Sequence, residues 1–423
     1  MKMLKLKNQI LTGLDVGSSK VCAVIAEVTP DSPEPIIKGY GISPSKGIKK
    51  GLVVDIENAT QSIVNAVSEA EKMAGFSINS CLVGVSGDHI RSLNTRGMMA
   101  ISRDSRTGLG EAREIENEDI ERVIEHTKAV PLPLDRQILH VLPQEYIIDE
   151  QPGIKNPLNL SGRRLDAKVH LTTYNTTVLS NLSKCIKNAD LEIDGFVLSS
   201  LAAAYACLEE SEKTMGSVLL DIGSGVIDVI VFYDDGVHHT GVVNLGANSV
   251  TNDIAYMLRV PLEKAESIKR EYGFAKVSLT DREAFFRLDN LGGRSPREIS
   301  IFNLAEWIEP RMEEILRESY LEAKKTDIPL TNTLSVVLTG GGARLKGTDE
   351  LAEMIFNTPA RVAAPRGFQE YVTELSDPIY SVAIGLIKYA IAGQISGSAL
   401  NKTISGPFHR IRGWIKHVTE NVM

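Results

Sequence analysis

The sequence predicts an α/β protein of two related lobes with mixed sheets. Three observations carry this. One short motif occurs twice: Leu14-Asp15-Val16-Gly17-Ser18-Ser19 returns as Leu220-Asp221-Ile222-Gly223-Ser224-Gly225. Matched apolar runs flank both copies, Ile10-Leu11 and Val21 to Val28 around the first, Val218-Leu219 and Val226 to Phe232 around the second. Short Val- and Ile-rich runs about Gly and Ser read as a β-hairpin, so each lobe opens with the same hairpin. The rest of the chain alternates strand-like and helix-like segments, the pattern of α/β lobes.

After the first hairpin, Ala59 to Ala74 carries apolar residues at helical spacing (Ile63, Ala66, Val67, Ala70, Met73), and Gly75 is a stop signal. Cys81 to Val85 reads as a strand. Residues from about Arg91 to Arg164 differ in composition. They hold Pro131, Pro133, Pro143, Pro152 and Pro157 and a charged helix near Glu114 to Thr127, and read as an inserted subdomain. Thr177 to Ala189 and Gly195 to Leu208 read as helices. A second, mostly helical insertion is expected between Asn252 and Thr331. Within it Asn303 to Lys325 reads as a long helix, with Pro310 near a kink or break. Leu334 to Leu338 reads as a buried strand and Gly347 to Phe356 as the start of the next helix. Gly393 to Gly406 is rich in small residues and reads as a flexible linker.

At 423 residues the chain is long enough for about two to four domains. Hydrophobic residues make up 43% and charged residues 24%, which excludes a disordered or fibrous chain. Lys and Arg number 46 against 54 Asp and Glu, a net charge of -8, so no nucleic-acid partner is expected. No apolar run is long enough to span a bilayer, and the Lys-rich start lacks the features of a signal peptide, so a cytoplasmic protein is expected. Cys22, Cys81, Cys185 and Cys207 form no metal-type pair and read as buried free thiols.

The two Asp-x-Gly-Ser turns carry the chemistry. Glycine and small residues in a tight turn let backbone N–H groups approach an anion, and serine hydroxyls add donors. A carboxylate at the strand end repels phosphate but can hold Mg²⁺ through water. Two such turns face to face would clamp a polyphosphate, with Asp15 and Asp221 serving the ion and Lys20 adding positive charge. Asp228, further along the second hairpin, is a candidate for the same metal–water network. A single turn of this kind is an ordinary Asx turn; the duplication favours the binding reading. Ser335 to Thr339 then leads into Gly340-Gly341-Gly342, a strand end open to close approach by a flat or charged ligand. Gly246-Ala247-Asn248, Lys264, Glu266 and Lys269 are candidates for the same cleft, with a solvated helix face as the competing reading.

Two Asp-x-Gly hairpins, a Gly-Gly-Gly strand end and a late Ile384-Gly385-Leu386 helix, in that order, resemble the actin, Hsp70 and sugar-kinase superfamily. Within it the chain resembles the FtsA family of bacterial division proteins over nearly its whole length. The stretches Leu14 to Lys20, Gly47 to Asp55, Val83 to Ile90, Val141 to Tyr146, Leu220 to Asp228, Val250 to Ala255 and Leu338 to Ala343 carry the likeness, Val83 to Ile90 most specifically. The resemblance implies a two-lobed actin-like ATPase fold with ATP and Mg²⁺ between the lobes. It implies subdomain 1A in three parts (1–85, 163–196 and 365–392) and an SHS2-like subdomain 1C at 86–162. Subdomain 2A would occupy 197–251 and 332–364, and 2B 252–331. A linker at 393–404 would precede a membrane-targeting helix at 405–423.

The phosphate role falls on Asp15, Gly17, Ser18, Ser19, Lys20, Asp221, Gly223, Ser224 and Gly225, and the adenosine role on Gly340, Gly341 and Gly342. Gly246 and Lys264 would join the nucleotide site. The family implies FtsZ as a partner, reached through 2B, where Arg294, Arg297, Glu298 and Ser300 are the candidate contacts. It also implies self-assembly into filaments, recruitment of later division proteins, and a place on the cytoplasmic face of the inner membrane at the septum. No residue stands out as the base for a hydrolytic water, so slow or absent hydrolysis is expected.

The tail carries a reading of its own. At 100° per residue Phe408, Ile411, Trp414, Ile415, Val418 and Val422 fall within an arc of about 120°. His409, Arg410, Arg412, Lys416 and His417 lie outside it. Ser405 is a candidate N-cap, and Pro407 is tolerated in a first turn. A basic amphipathic helix with Trp and Phe, behind a linker, reads as an anchor on anionic membrane lipids; a docked terminal helix is the alternative. The anchor also separates the function classes. A small-molecule kinase has no use for it, a chaperone ATPase needs more chain after Gly342, and the tail argues against the FtsA-like relative that serves pilus assembly.

Overall fold

The computed structural model describes residues 9–29, 32, 34–101, 111–288, 296–326, 328–330, 335–369 and 373–395. Lobe I begins with β1 (Gln9–Val16), β2 (Lys20–Val28) and β3 (Ile36–Pro44), followed by the two-residue strands β4 (Ile48–Lys49) and β5 (Leu52–Val53). Helix α1 (Ile56–Ala74) follows. Its N-cap Asp55 accepts from the Asn58 N–H at 3.0 Å, and Gly75 ends it in the left-handed conformation. Strand β6 (Ser80–Val85) completes the opening of the lobe.

The insertion comprises β7 (Arg91–Ala100), β8 (Arg113–Glu114), α2 (Asn117–Thr127), β9 (Arg136–Ile148), β10 (Gln151–Ile154), β11 (Ser161–Gly162) and β12 (Arg164–Asn175). Its four-stranded sheet has the order β10-β9-β12-β7. It therefore runs to Asn175, past the boundary at residue 162 expected from the sequence, because β12 pairs with both β7 and β9. The chain returns to lobe I through α3 (Thr176–Asn188) and β13 (Glu192–Leu198), then crosses by α4 (Ser199–Cys207) and α5 (Glu210–Met215). The helix expected over Gly195 to Leu208 thus starts only at Ser199; the residues before it pair in parallel with β6.

Lobe II repeats the plan of lobe I. Strands β14 (Ser217–Ile222), β15 (Ile227–Tyr233) and β16 (Gly236–Val243) precede α6 (Asn248–Leu258), α7 (Leu262–Tyr272), β17 (Phe285–Leu288), β18 (Arg297–Ser300) and α8 (Ile301–Ala323). Helix α8 runs on through Pro310, because its stripe of Leu304, Ile308, Met312, Ile315 and Leu316 is buried in the lobe II core. β19 (Ser335–Thr339), α9 (Thr348–Phe356), β20 (Ala360–Val362) and α10 (Ser381–Ile395) complete the described fold.

The two five-stranded sheets have the orders β13-β6-β1-β2-β3 and β16-β15-β14-β19-β20. Each has an antiparallel hairpin at its centre, a third antiparallel strand outside it, and two parallel strands on the other flank. The duplicated hairpins therefore occupy equivalent places. Helix α10 closes lobe I against β1 and α4. At Gly385 a Cβ would lie 1.9 Å from the Ala202 carbonyl oxygen, so only glycine allows that crossing. Cys22, Cys81, Cys185 and Cys207 are free and buried.

Candidate nucleotide-binding cleft

The first turn, Gly17 to Ser19, joins β1 to β2, and the Gly17 N–H donates to the Lys20 carbonyl at 3.0 Å. In the second, Gly223 donates to the Val226 carbonyl at 3.1 Å. The same three-residue reach closes both turns. They also meet: a Cβ on Gly225 would stand 3.1 Å from Ser18 Oγ and 3.2 Å from Lys50 Cα. Ser18 Oγ in turn accepts from the Gly51 N–H at 3.1 Å. Gly225 is thus what lets the lobes approach at this point.

The charges converge there. Lys20 Nζ lies 2.9 Å from Asp15 Oδ2. Burial works against the Lys20 charge, but Asp15, with smaller help from Cys22 and Asp221, holds its pKa above the ordinary value. Asp221 is 9% exposed, and burial together with Asp15 pushes its carboxyl up to about 7 against the pull of Lys20. Asp228 stands opposite Asp221 in the β14–β15 register and is 4% exposed. Burial, then the Asp221 charge, raises it well above the carboxylate range, although its Oδ2 accepts from Ser86 Oγ at 2.6 Å. Its Oδ1 has no partner among the described residues. Three carboxyls and one ammonium thus lie together in little solvent, although among the described residues no three acidic side chains converge closely enough to hold a bare metal ion by themselves.

The glycine strand end closes the second turn from behind. Thr339 pairs with Asp221, and Gly340 follows with φ 81°. A Cβ there would lie 2.2 Å from Asp221 Oδ1, and one on Gly342 2.4 Å from Ile222 Cγ2. At Gly341, which is exposed, the nearest atom to a Cβ would be Ile379 Cγ2 at 3.7 Å, an ordinary contact, so a side chain would find room there. Gly246 packs on the turn as well: Ala247 and Asn248 donate to the Gly223 and Ser224 carbonyls at 3.0 and 2.9 Å, which starts α6 at the turn. A cradle of backbone, three serines (Ser18, Ser19 and Ser224) and one lysine is chemically suited to a polyphosphate with a hydrated Mg²⁺.

Lys264 lies on the exposed face of α7. Lys269, one and a half turns on, is the lysine tied to the second turn. It donates to the Ala247 carbonyl at 3.2 Å and to Thr251 Oγ1 at 2.8 Å, and pairs with Glu266 at 2.7 Å. Burial opposes the Glu266 charge, yet Lys269 with Thr251 and Arg270 pulls its carboxyl down to about 2. Ser86 and Lys50 were not singled out as cleft residues by sequence, because only the approach of the two lobes gives them partners, Asp228 and the Asn244 carbonyl; Gly51 meets Ser18 within lobe I, across 33 residues of chain.

Of the candidate FtsZ contacts, Arg297 donates to the Leu258 carbonyl at 2.8 Å, Glu298 is exposed on β18, and Ser300 caps α8 by accepting from Asn303 N–H at 3.5 Å. The linker expected from residue 393 starts too early, because the apolar α10 runs on to Ile395; Arg294, the rest of the linker from 396 and the tail residues Phe408, Arg410, Ile411, Arg412, Trp414, Ile415, Lys416 and Val418 lie outside the described residues. Among the described residues no helix is long and apolar enough to cross a membrane.

Comparison with known proteins bears on the family and the fold. A family model described as cell division protein FtsA matches residues 218–385, and one described as an SHS2 domain inserted in FtsA matches residues 87–173. The cell division protein FtsA of Pseudomonas aeruginosa is 41% identical over 93% of this chain and 92% of its own. Among solved structures, the PilM-PilN type IV pilus biogenesis complex is similar at TM-score 0.63 and 16% identity, over 90% of this chain and 98% of that one. MreB5 of Spiroplasma citri bound to ADP is similar at TM-score 0.53 and 14% identity, over 92% and 98%. At such identities these two show the fold alone. The architecture is the two-lobed actin-like ATPase fold with an inserted SHS2 subdomain, and the chain belongs to the FtsA family of cell division proteins.

Proposed function

We propose that the chain binds Mg-ATP between its lobes, assembles with copies of itself and with FtsZ, and ties FtsZ filaments to the cytoplasmic membrane through residues 405–423. The observation that carries the nucleotide part is the meeting of the two turns, Gly225 against Ser18, with Asp15 and Asp221 at the paired strand ends. Ser18, Ser19, Ser224 and Gly225 would offer donors to the phosphates, Gly17 and Gly223, whose N–H groups close the turns, would keep the approach clear of side chains, and Lys20 would add charge. Asp15 and Asp221 would hold Mg²⁺ through water, and Gly340 to Gly342 would leave room for the adenosine. The ion would neutralise phosphate charge that the buried carboxyls alone would repel. Hydrolysis, where it occurs, is slow in this reading. Later division proteins are further partners, and the septum is the site of action.

Membership of the family supports the division role, and the pattern of the tail supports the membrane part. Each tail cation near an anionic surface contributes about 1 kcal/mol, each large apolar side chain at most about 1.5–3 kcal/mol, and backbone ordering costs about 1–2 kcal/mol per residue. One tail binds reversibly on this arithmetic, and several on one polymer bind far more tightly. Sedimentation with anionic liposomes tests it. The full chain is compared with a version ending at Leu400, with and without Mg-ATP. Pelleting by the full chain alone supports the tether. Equal behaviour of the two versions returns the tail to a docked terminal helix and brings forward a soluble ATP-dependent enzyme. Charge reversal at Arg297 is expected to weaken FtsZ binding; intact binding removes that residue from the contact.

A further inference from the structure

Strand β16 is the outer strand of the lobe II sheet, yet its edge meets the insertion rather than solvent. Five side chains from lobe I and its insertion donate to backbone carbonyls along it and beside its ends. Lys155 Nζ reaches Asp234, Gln144 Nε2 reaches Val237 at 2.9 Å, and Asn94 Nδ2 reaches His238 at 3.1 Å. Ser92 Oγ reaches Thr240 at 2.6 Å and Lys50 Nζ reaches Asn244 at 3.1 Å. His170, 1% exposed, sits inside this seam with Nδ1 2.7 Å from Asn94 Oδ1 and Nε2 2.9 Å from Thr240 Oγ1. Side chains here replace the backbone donors of a neighbouring strand, so the edge is sealed without a continuous sheet.

The other side of β16 leads directly to the cleft. It pairs with β15, setting Val242 opposite Asp228, and Asp228 stands opposite Asp221. At the root of the insertion Ser86 Oγ holds Asp228 Oδ2, while Arg136 donates to the His89 and Thr173 carbonyls at 2.9 and 3.0 Å. The insertion is thus fixed to lobe I by its two chain ends and to lobe II by the seam. Chain connections between the lobes run through α4 and α5 and through the segment between β20 and α10. The seam is an additional, breakable tie. Its bonds are individually modest and separable, the kind that open locally without unfolding.

We infer that Ser92, Asn94, Gln144 and Lys155 are positioning residues for nucleotide retention. They hold β16, and through β15 the Asp221 to Gly225 turn, against lobe I, so that a nucleotide leaves only after the seam has parted. The inference rests on the nucleotide reading of the cleft. It gives the insertion a role inside the molecule, as a clamp on the far lobe.

Stopped-flow release of a ribose-labelled fluorescent ATP from the full chain, chased with unlabelled Mg-ATP, tests this. The double variant Asn94→Ala with Gln144→Ala removes two ties and no cleft residue. Lys168→Ala, which removes only the 2.6 Å bridge to Glu145 within the insertion, is the control. Lys155→Ala is paired with Lys155→Arg as the conservative rescue. The expected result is release about tenfold faster in the double variant than in the control at an unchanged association rate, with a lowered melting temperature because Asn94→Ala also leaves the buried His170 Nδ1 unpaired, whereas Lys155→Ala, at a partly exposed side chain, should speed release without that loss. Lys155→Arg is expected to restore the parent rate that Lys155→Ala loses. Normal binding with release equal to the control overturns the clamp alone. No binding by the parent chain overturns the nucleotide reading and the clamp with it.

Discussion

Replacing Asp221 by asparagine removes a charge that the fold holds unfavourably. Burial and Asp15 raise its carboxyl from an ordinary 3.8 to about 7. A carboxyl with a raised folded value contributes stability below its unfolded value, and that contribution is lost as pH rises from about 4 towards 7. At about 1.4 kcal/mol for each tenfold, the interval sets a ceiling of about 4 kcal/mol above pH 7. Water penetration and relaxation take part of this, and about 2 kcal/mol is expected. The nucleotide-free Asp221→Asn protein should therefore be more stable than the parent near neutral pH. The gain should shrink towards zero as pH falls to about 4. On the proposed nucleotide reading Mg-ATP stabilises the parent, and the same variant should lose that stabilisation, because the charge that destabilises the fold by itself is the one assigned to the ion. The assay is thermal or urea unfolding at several pH values, with and without Mg-ATP. An asparagine variant less stable than the parent at neutral pH, or a difference flat with pH, refutes the reasoning.

Other consequences follow from single contacts. Gly340→Ala places a Cβ 2.2 Å from Asp221 Oδ1 at φ 81°; it should cost at least about 1–3 kcal/mol of stability and remove the Mg-ATP shift in melting temperature, and a parent-like shift contradicts the close approach. Glu266→Ala leaves the buried Lys269 without its part-exposed carboxylate partner, though with the Ala247 carbonyl and Thr251 Oγ1, and should destabilise by about 2 kcal/mol, while the Glu266→Ala, Lys269→Met double variant should recover part of that; additive losses in a denaturant cycle would argue against the pair. Burial pushes His140 down to about 4, and its Nε2 accepts the Leu198 N–H at 3.0 Å. A histidine with a depressed folded value stabilises above its unfolded value of about 6.5 and loses that contribution as pH falls towards 4. Its ring should stay neutral in an NMR titration down to about pH 4, and ordinary titration near 6.5 would contradict the burial.

Local features were the legible ones. Each Asp-x-Gly-Ser hairpin folds from its own residues, so the duplication announced two lobes before any contact was known. Helix α1 carried its cap, its apolar stripe and its terminal glycine in one continuous stretch. The error over Gly195 to Leu208 has a physical source. Helix α4 is buried on nearly every face, so its sequence lacks the amphipathic period that would separate it from the apolar strand before it. Pro310 misled because the stabilising force on α8 is core packing, which local propensity does not report. Lys269 was weighed beside Lys264, and only the packing of α7 on α6 chooses between them. The Ser86–Asp228 bond and the ties along β16 join residues far apart in sequence, and no periodicity encodes them.

The central claim is that the two turns hold one Mg-nucleotide between them. Equilibrium binding of ATP to the full chain, with Mg²⁺ and with the metal chelated, tests it most directly when repeated on the Asp15→Asn, Asp221→Asn double variant. Saturable binding that needs Mg²⁺ and disappears in the variant is the predicted result. Undiminished affinity in the variant, or affinity indifferent to Mg²⁺, contradicts it.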